Sequence, residues 1–295
     1  MTTHRFVTVD VFTDRRFGGN PLAVFPDARG LSDEAMLALA GEFNLSETTF
    51  VLPPADPANT ARVRIFTPKG EIPFAGHPNV GTGWVLAREG RDRDGVLRFE
   101  ETAGLVEVRV ERDASGAPTG ATIAAPQPLS LGPEMPVETV AALAGLDPRD
   151  VATARRRPVL ASVGNPFFIA EVSAGALGRA APDIAAFRRA SAERPEAKGR
   201  VALHLHVRDG GRIRTRMFAP LHGVLEDPAT GSANVALAAL LLSLADDAEE
   251  RYEIVQGVEM GRPSLLRAAA RRGPDGIRAT VGGGCVPVLA GEATV

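Results

Sequence analysis

Apolar and polar positions along this chain follow two rhythms. Alternating or β-branched runs at "RFVTVDVF" (5–12), "TTFVLP" (48–53), "RVRIFT" (62–67), "GVLRFE" (95–100) and "LVEVRVER" (105–112) predict strands in the first half. The second half offers "PVLASV" (158–163), "RVALHLHV" (200–207) and "IRTRMFA" (213–219). Helical spacing appears in "SDEAMLALAGEF" (32–43), with Ser32 as N-cap and Asp33 and Glu34 in the first turn. Further helices are predicted near 136–145, 181–193 and 232–245. Strands followed by a helix, without strict β-α-β alternation, predict α+β domains with curved, antiparallel-rich sheets around a buried helix. The proline-rich "APQPLSLGPEMP" (125–136) has no periodicity and reads as the linker between halves.

Composition narrows the class. The chain has 295 residues, 44% hydrophobic and 23% charged, with a net charge of −3, which gives no electrostatic case for nucleic acid or an anionic membrane. The arginines of "RRRP" (155–158) and "ARR" (270–272) read as solvated surface. The run "ANVALAALLLSLA" (233–245) is about two-thirds of a membrane span and reads as a buried core helix. The N-terminal residues lack the apolar stretch of a signal peptide, so a cytoplasmic protein is expected. A single cysteine, Cys285, excludes an internal disulfide and a multi-thiolate metal site.

A repeat gives the organisation. "EIPFAGHPNVGTGWVL" (71–86) returns as "LEDPATGSANVALAAL" (225–240), and Pro73/Pro228, Gly76/Gly231, Asn79/Asn234 and Val80/Val235 share one offset of 155. "RIFTP" (64–68) returns as "RMFAP" (216–220) at offset 152, and "GNP" (19–21) as "GNP" (164–166) at offset 145. Three elements in one order, with slowly drifting offsets, predict two duplicated domains. In the first copy Pro78 fits the first helical position, His77 the N-cap, and Gly90 the position past the end; in the second copy Ser232 takes the N-cap. Helix starts expose unpaired N–H groups and a partial positive charge. Two such starts facing each other across the domain junction would cradle a small anion such as a carboxylate. Each residue alone is also ordinary helix capping; the pairing at equivalent positions favours function.

These motifs also carry a resemblance. "GNPLAVF" (19–25), "NLSETTFV" (44–51), "RIFTPKGEIPFAGHPNVGT" (64–82), "EDPATGSANVALAAL" (226–240) and "QGVEMGRPS" (256–264) resemble, in order, those of the PhzF-like phenazine-biosynthesis isomerases. The resemblance implies the diaminopimelate-epimerase fold, an α+β fold of two pseudo-symmetric domains, each a curved sheet around a central helix, with a site in the cleft between them. It implies an N-terminal domain over 1–125, joined by a final strand at about 279–295, and a C-terminal domain over 126–278. Epimerases and racemases of this fold use two cysteines where this chain has His77 and Ser232, so a two-thiol racemase is excluded.

By resemblance Glu47 is the general acid/base, taking a C–H proton and returning it elsewhere without a cofactor or metal. His77 and Asp227 would hold the substrate or share in proton relay, and Gly76, Gly231 and Ser232 would supply donors for its carboxylate. Asn20 and Asn165 are secondary contacts. Read without the family, Glu47 is a solvated or capping acid and Asp227 caps its own loop. The implied activity is an isomerisation of a small carboxylated substrate, like that of trans-2,3-dihydro-3-hydroxyanthranilate, in a homodimer. Alternatives are an epimerase or isomerase of another amino-acid-like substrate, or a non-catalytic small-molecule binding protein. His204, His206 and His222 share no metal spacing with a carboxylate or cysteine. "DGGR" (209–212) reads as a hairpin turn and "VGGGCVPV" (281–288) lacks nucleotide-loop spacing.

Overall fold

The computed structural model describes residues 1–194, 201–209 and 211–295. It divides into two units, Met1–Ala124 with Gly282–Val295, and Ala125–Val281. The first unit contains β1 (Thr3–Val11), β2 (Asn20–Phe25), α1 (Asp33–Phe43), β3 (Thr48–Leu52), β4 (Ala61–Thr67), β5 (Gly70–Ile72), α2 (Gly76–Arg88), β6 (Val96–Glu101), β7 (Gly104–Arg112) and β8 (Pro118–Ala124). The second contains β9 (Ser130–Glu134), α3 (Val137–Ala144), β10 (Val151–Ala152), β11 (Val159–Ser162), β12 (Pro166–Val172), α4 (Ala174–Leu177) and α5 (Ile184–Glu193). It continues with β13 (Leu203–Asp209), β14 (Arg212–Ala219), β15 (Val224–Asp227), α6 (Gly231–Ser243), β16 (Glu249–Gln256) and β17 (Ser264–Gly273). The last strand, β18 (Gly276–Thr294), starts in the second unit and belongs to the first from Gly282 onward.

In the first unit β1–β2 is antiparallel, β2–β3 parallel, β3–β4 antiparallel, β4–β6 parallel, and β6–β7 and β7–β8 antiparallel, with β5 beside β4. β18 pairs antiparallel with β1 and also pairs with β8, so the ring of strands closes and leaves no open edge between β1 and β8. Inside it lies α2, buried from Gly76 to Ala87 and packed on β1, β2, β3, β7 and β8. A helix enclosed on every side needs no polar face, which is why its sequence shows no amphipathic stripe. Close approach explains the glycines. A Cβ on Gly81 would stand 2.6 Å from Leu22 Cδ2 and 2.8 Å from Val11 Cγ2, and one on Gly120 would stand 2.1 Å from the Gly283 carbonyl oxygen. The "GGG" run at 282–284 thus serves the β8–β18 seam. On the other side of the sheet α1 sets Met36 and Ala40 against Phe25, Phe50 and Phe66.

The second unit repeats this pattern of senses. β11–β12 is antiparallel, β12–β13 parallel, β13–β14 antiparallel, β14–β15 antiparallel, β14–β16 parallel and β16–β17 antiparallel. α6 takes the place of α2, is buried at every position from Ala233 to Leu242, and packs on β11, β12, β16 and β17. The greasy run at 233–245 is this core helix, and among the described residues no helix is long and apolar enough to cross a membrane. α3, α4 and α5 form a further core with Phe168, Leu203, Leu205 and Phe218.

Some expectations are corrected. The proline-rich stretch expected to be only a linker contains β9, which pairs with β11. All five β9 residues are exposed, so no alternation marks it, and Pro133 is tolerated on such a strand. The strand expected from 200 begins at Leu203, and Arg200 lies outside the described residues. The hairpin at 209–212 closes with Asp209 opposite Arg212, Gly210 being outside the described residues.

Candidate active site

The two helix starts begin earlier than the capping pattern suggests. α2 starts at Gly76 with Ala75 as N-cap, and α6 at Gly231 with Thr230 as N-cap. His77 and Ser232 are therefore second helical residues, not caps. The reason lies in Asn79 and Asn234, whose side-chain amides donate back to the N-cap carbonyls, Ala75 O and Thr230 O, each at 3.0 Å. That contact holds the first turn closed without a hydroxyl cap. Pro78 fits there because a first-turn N–H has no helical acceptor.

In the first unit Glu47, the residue before β3, lies against this turn. His77 Nδ1 is 3.5 Å from Glu47 Oε2, and the side chains are 6% and 18% exposed, respectively. Burial pushes the His77 pKa down to about 3, only partly opposed by the Pro21 backbone, so the imidazole is neutral near pH 7. Asn20 begins β2, is buried, and accepts from Ser46 Oγ at 3.3 Å. Glu47, His77 and Asn20, with Gly76, thus form one neighbourhood tied by the segments leading into β2, β3 and α2. Its chemistry is a carboxylate held beside a neutral imidazole at a positive helix end.

In the second unit Asp227 ends β15 and is fixed by the start of α6. Thr230 Oγ1 donates to Asp227 Oδ2, and Gln256 Nε2 donates to Asp227 O at 2.7 Å and to Thr230 Oγ1 at 3.0 Å. Gln256 Oε1 accepts from Asn234 Nδ2 at 2.7 Å and from Thr230 N at 3.2 Å. His204 Nε2 meets Asn234 Oδ1 at 3.1 Å, and burial lowers its pKa to about 4, so the ring donates as a neutral imidazole. Gly231 is buried and Ser232 is half-buried, with its hydroxyl at the first turn. Asn165 differs from its counterpart Asn20: it lies exposed in the turn between β11 and β12.

Residues 9–291 match the family of phenazine biosynthesis-like proteins. The chain belongs to the PhzF-like family. It is 39% identical to a trans-2,3-dihydro-3-hydroxyanthranilate isomerase of Pseudomonas aeruginosa, with 90% of each chain covered. The crystal structure of a PhzF-family phenazine biosynthesis protein from Bacillus anthracis superposes with a TM-score of 0.88 at 24% identity over the whole of both chains. A hydroxyproline epimerase from Agrobacterium vitis shares the fold, with a TM-score of 0.61 and 14% identity over 98% of this chain and 92% of that one. This PhzF-like chain is therefore an isomerase on the epimerase fold, in which the repeated phrase marks the central helix of each unit.

Sequence reasoning left four participants of these helix starts without a role: Thr230, Gln256, and the asparagine pair Asn79 and Asn234. The repeat aligned the asparagines, and their return at one offset was the available signal. Gln256 stood within a quoted motif, but nothing in the sequence places the end of one strand beneath the start of a helix.

Proposed function

We propose that this chain moves a proton between carbons of a small carboxylated substrate, using Glu47 as the single acid/base and no cofactor. Glu47 takes the proton from an acidic C–H, the electron pair shifts along an allylic system, and Glu47 returns the proton to its far carbon. One C–H bond breaks, another forms, the double bond migrates, and no oxidant or reductant is consumed. The observation that carries this reading is the Glu47 carboxylate 3.5 Å from the neutral imidazole of His77 at the start of α2. Such catalytic contacts are often long before substrate binds. The imidazole orients the carboxylate without competing for its proton. N–H groups of Gly76, and those of Gly231 and Ser232 at the second helix start, are suited to a substrate carboxylate. Asp227, held by Thr230 and Gln256, is suited to a substrate amine or hydroxyl.

The relative from Pseudomonas aeruginosa makes trans-2,3-dihydro-3-hydroxyanthranilate the first substrate to test. The protein is incubated with it in D₂O, product is followed by absorbance, and deuterium by mass spectrometry, with Glu47→Gln beside it. The expected result is turnover that is lost in Glu47→Gln, with deuterium at the new C–H position only to the extent that the proton held on Glu47 exchanges with solvent before its return. Equal turnover by the folded variant would overturn the role of Glu47. Wild-type inertness towards this compound would overturn the substrate assignment.

A further inference from the structure

Glu101 ends β6 and Gln256 ends β16. The strand registers make them counterparts. Ala61 faces Phe99 and Arg62 faces Glu100 in the first unit, as Ile213 faces Ile254 and Arg214 faces Val255 in the second. The next position is Glu101 in one unit and Gln256 in the other. Asn79 and Asn234 are also counterparts, with the same bond to the N-cap carbonyl.

The surroundings of the two asparagines then diverge. Asn234 Oδ1 accepts from His204 Nε2 and Thr215 Oγ1, while Asn234 Nδ2 donates to Gln256. The first-unit counterparts of His204 and Thr215 are Thr49 and Val63, by the registers of β3 and β13 on β4 and β14. Val63 has no donor, and the Thr49 hydroxyl is taken up by Thr82 Oγ1 at 2.8 Å. Asn79 Oδ1 is left buried with no hydrogen-bond partner among the described residues, and so are both carboxyl oxygens of Glu101. An ionised carboxyl enclosed with no more than the Asn79 amide to offset its burial is strongly disfavoured. Protonated, it offers the amide's pattern of one accepting oxygen and one donating group, and the acceptor awaiting that donor is Asn79 Oδ1.

We infer that Glu101, at the position of Gln256, is carried as a neutral carboxylic acid whose hydroxyl donates to Asn79 Oδ1 and thereby positions the first turn of α2 that bears Gly76 and His77. Its proton makes good the donors lost from the positions of His204 and Thr215. Burial pushes the Glu101 carboxyl up to about 8, against a smaller opposing pull from the Asn79 amide. Among the described residues no counter-charge shifts it. On β6 itself the neighbouring Glu100 is bound by the Ala55 and Asp56 N–H groups and Asn59, and Arg98 is exposed and paired with Glu107. β4 sets Arg62 opposite Glu100, β7 sets Gly104 opposite Glu101, and α2 presents Asn79 and the neutral His77. The protonation stands on its own geometry. Its consequence for turnover rests on the role of His77 proposed above.

The test uses Glu101→Gln, Glu101→Ala and the reciprocal Gln256→Glu in the full chain. Infrared difference spectra between wild type and Glu101→Gln are expected to show a protonated-carboxyl band near neutral pH, lost in the variant. The thermal midpoint of Glu101→Gln is expected to gain on wild type as pH rises from the ordinary carboxyl value of 4.5 to about 8. Gln256→Glu is expected to acquire the same alkaline loss. With trans-2,3-dihydro-3-hydroxyanthranilate as probe, Glu101→Ala should lower kcat on the order of 10-fold to 100-fold with little change in KM, through a displaced first turn, and Glu101→Gln should restore it. No band difference and parallel pH curves would overturn the neutral acid. A folded Glu101→Gln as slow as Glu101→Ala would overturn the positioning role of a donor at this place. If wild type leaves the probe unchanged, the substrate assignment fails, and the infrared and thermal arms still decide the protonation.

Discussion

A carboxylate that must take and return one proton is worth most where its neighbour cannot take that proton away. The His77 imidazole, pushed to about 3 by burial, is such a neighbour to Glu47. Removing a general base costs about 10²-fold to 10⁴-fold, so Glu47→Gln should lose that much kcat while its thermal midpoint stays near wild type. A second consequence concerns pH. His77 has no charge change between pH 5 and 8, so any acid limb in the rate profile belongs to another group. His77→Gln should therefore slow turnover and leave the midpoint of that limb in place; a limb that vanishes in the variant would show that His77 titrates. At this scale the motifs singled out Glu47 and His77, thirty residues apart in the chain, and the structure sets their side chains 3.5 Å from each other. Glu101 escaped the sequence reading, because "FEET" reads as solvated acids until strand register sets Glu100 towards the Asn59 loop and Glu101 towards Asn79.

The helices show how far local pattern carries. Ser32 caps α1 as its sequence proposes, accepting from Ala35 N at 3.2 Å, because that helix start is exposed and local chemistry decides it. The starts of α2 and α6 were placed late. Both are buried, and asparagine side chains reaching back to the N-cap carbonyl replace the hydroxyl cap that the pattern sought. The same contrast separates two glycines in helices. Gly41 in α1 is exposed, and a Cβ there would meet nothing within 4 Å. Gly41→Ala should stabilise by about 0.5–1 kcal/mol, through a smaller entropy loss on folding. Gly81 in α2 stands against Leu22, Val11 and Val9, two of them stiff at χ1. Gly81→Ala should cost about 1–3 kcal/mol, despite the better helix propensity of alanine. Urea unfolding of the two variants measures both, and equal signs would show that packing around α2 yields more readily than its distances imply.

For the molecule as a whole, the duplication was readable because both copies kept the phrase that begins their central helix, and the strand senses then follow in the same order in each unit. The ring closure was less readable, since β18 finds its partners β1 and β8 far away in sequence and its glycines resemble a loop. Burial of titratable groups in these two cores sets the pH dependence of stability. His77, His204 and His206 are lowered by burial from 6.5 to about 3, 4 and 3, so below pH 6.5 the unfolded chain binds protons that the folded chain refuses. Their stabilisation is present above pH 6.5 and is lost as pH falls through that window. Glu101 has the opposite sign. Raised from 4.5 to about 8, its contribution is complete below pH 4.5 and is lost as pH rises to about 8. Between 4.5 and 6.5 three groups oppose one, so stability climbs with pH. From 6.5 to 8 Glu101 is the one of these four groups that still acts, and its contribution declines by at most about 1.4 kcal/mol per pH unit. The expected maximum is therefore near pH 6.5, with the acid side steeper. Thermal midpoints measured across pH 4 to 9 locate it. Glu101→Gln should flatten the alkaline side alone, and His206→Gln should make the acid side shallower. A maximum above pH 8 in the wild type would mean that Glu101 is ionised in the folded protein.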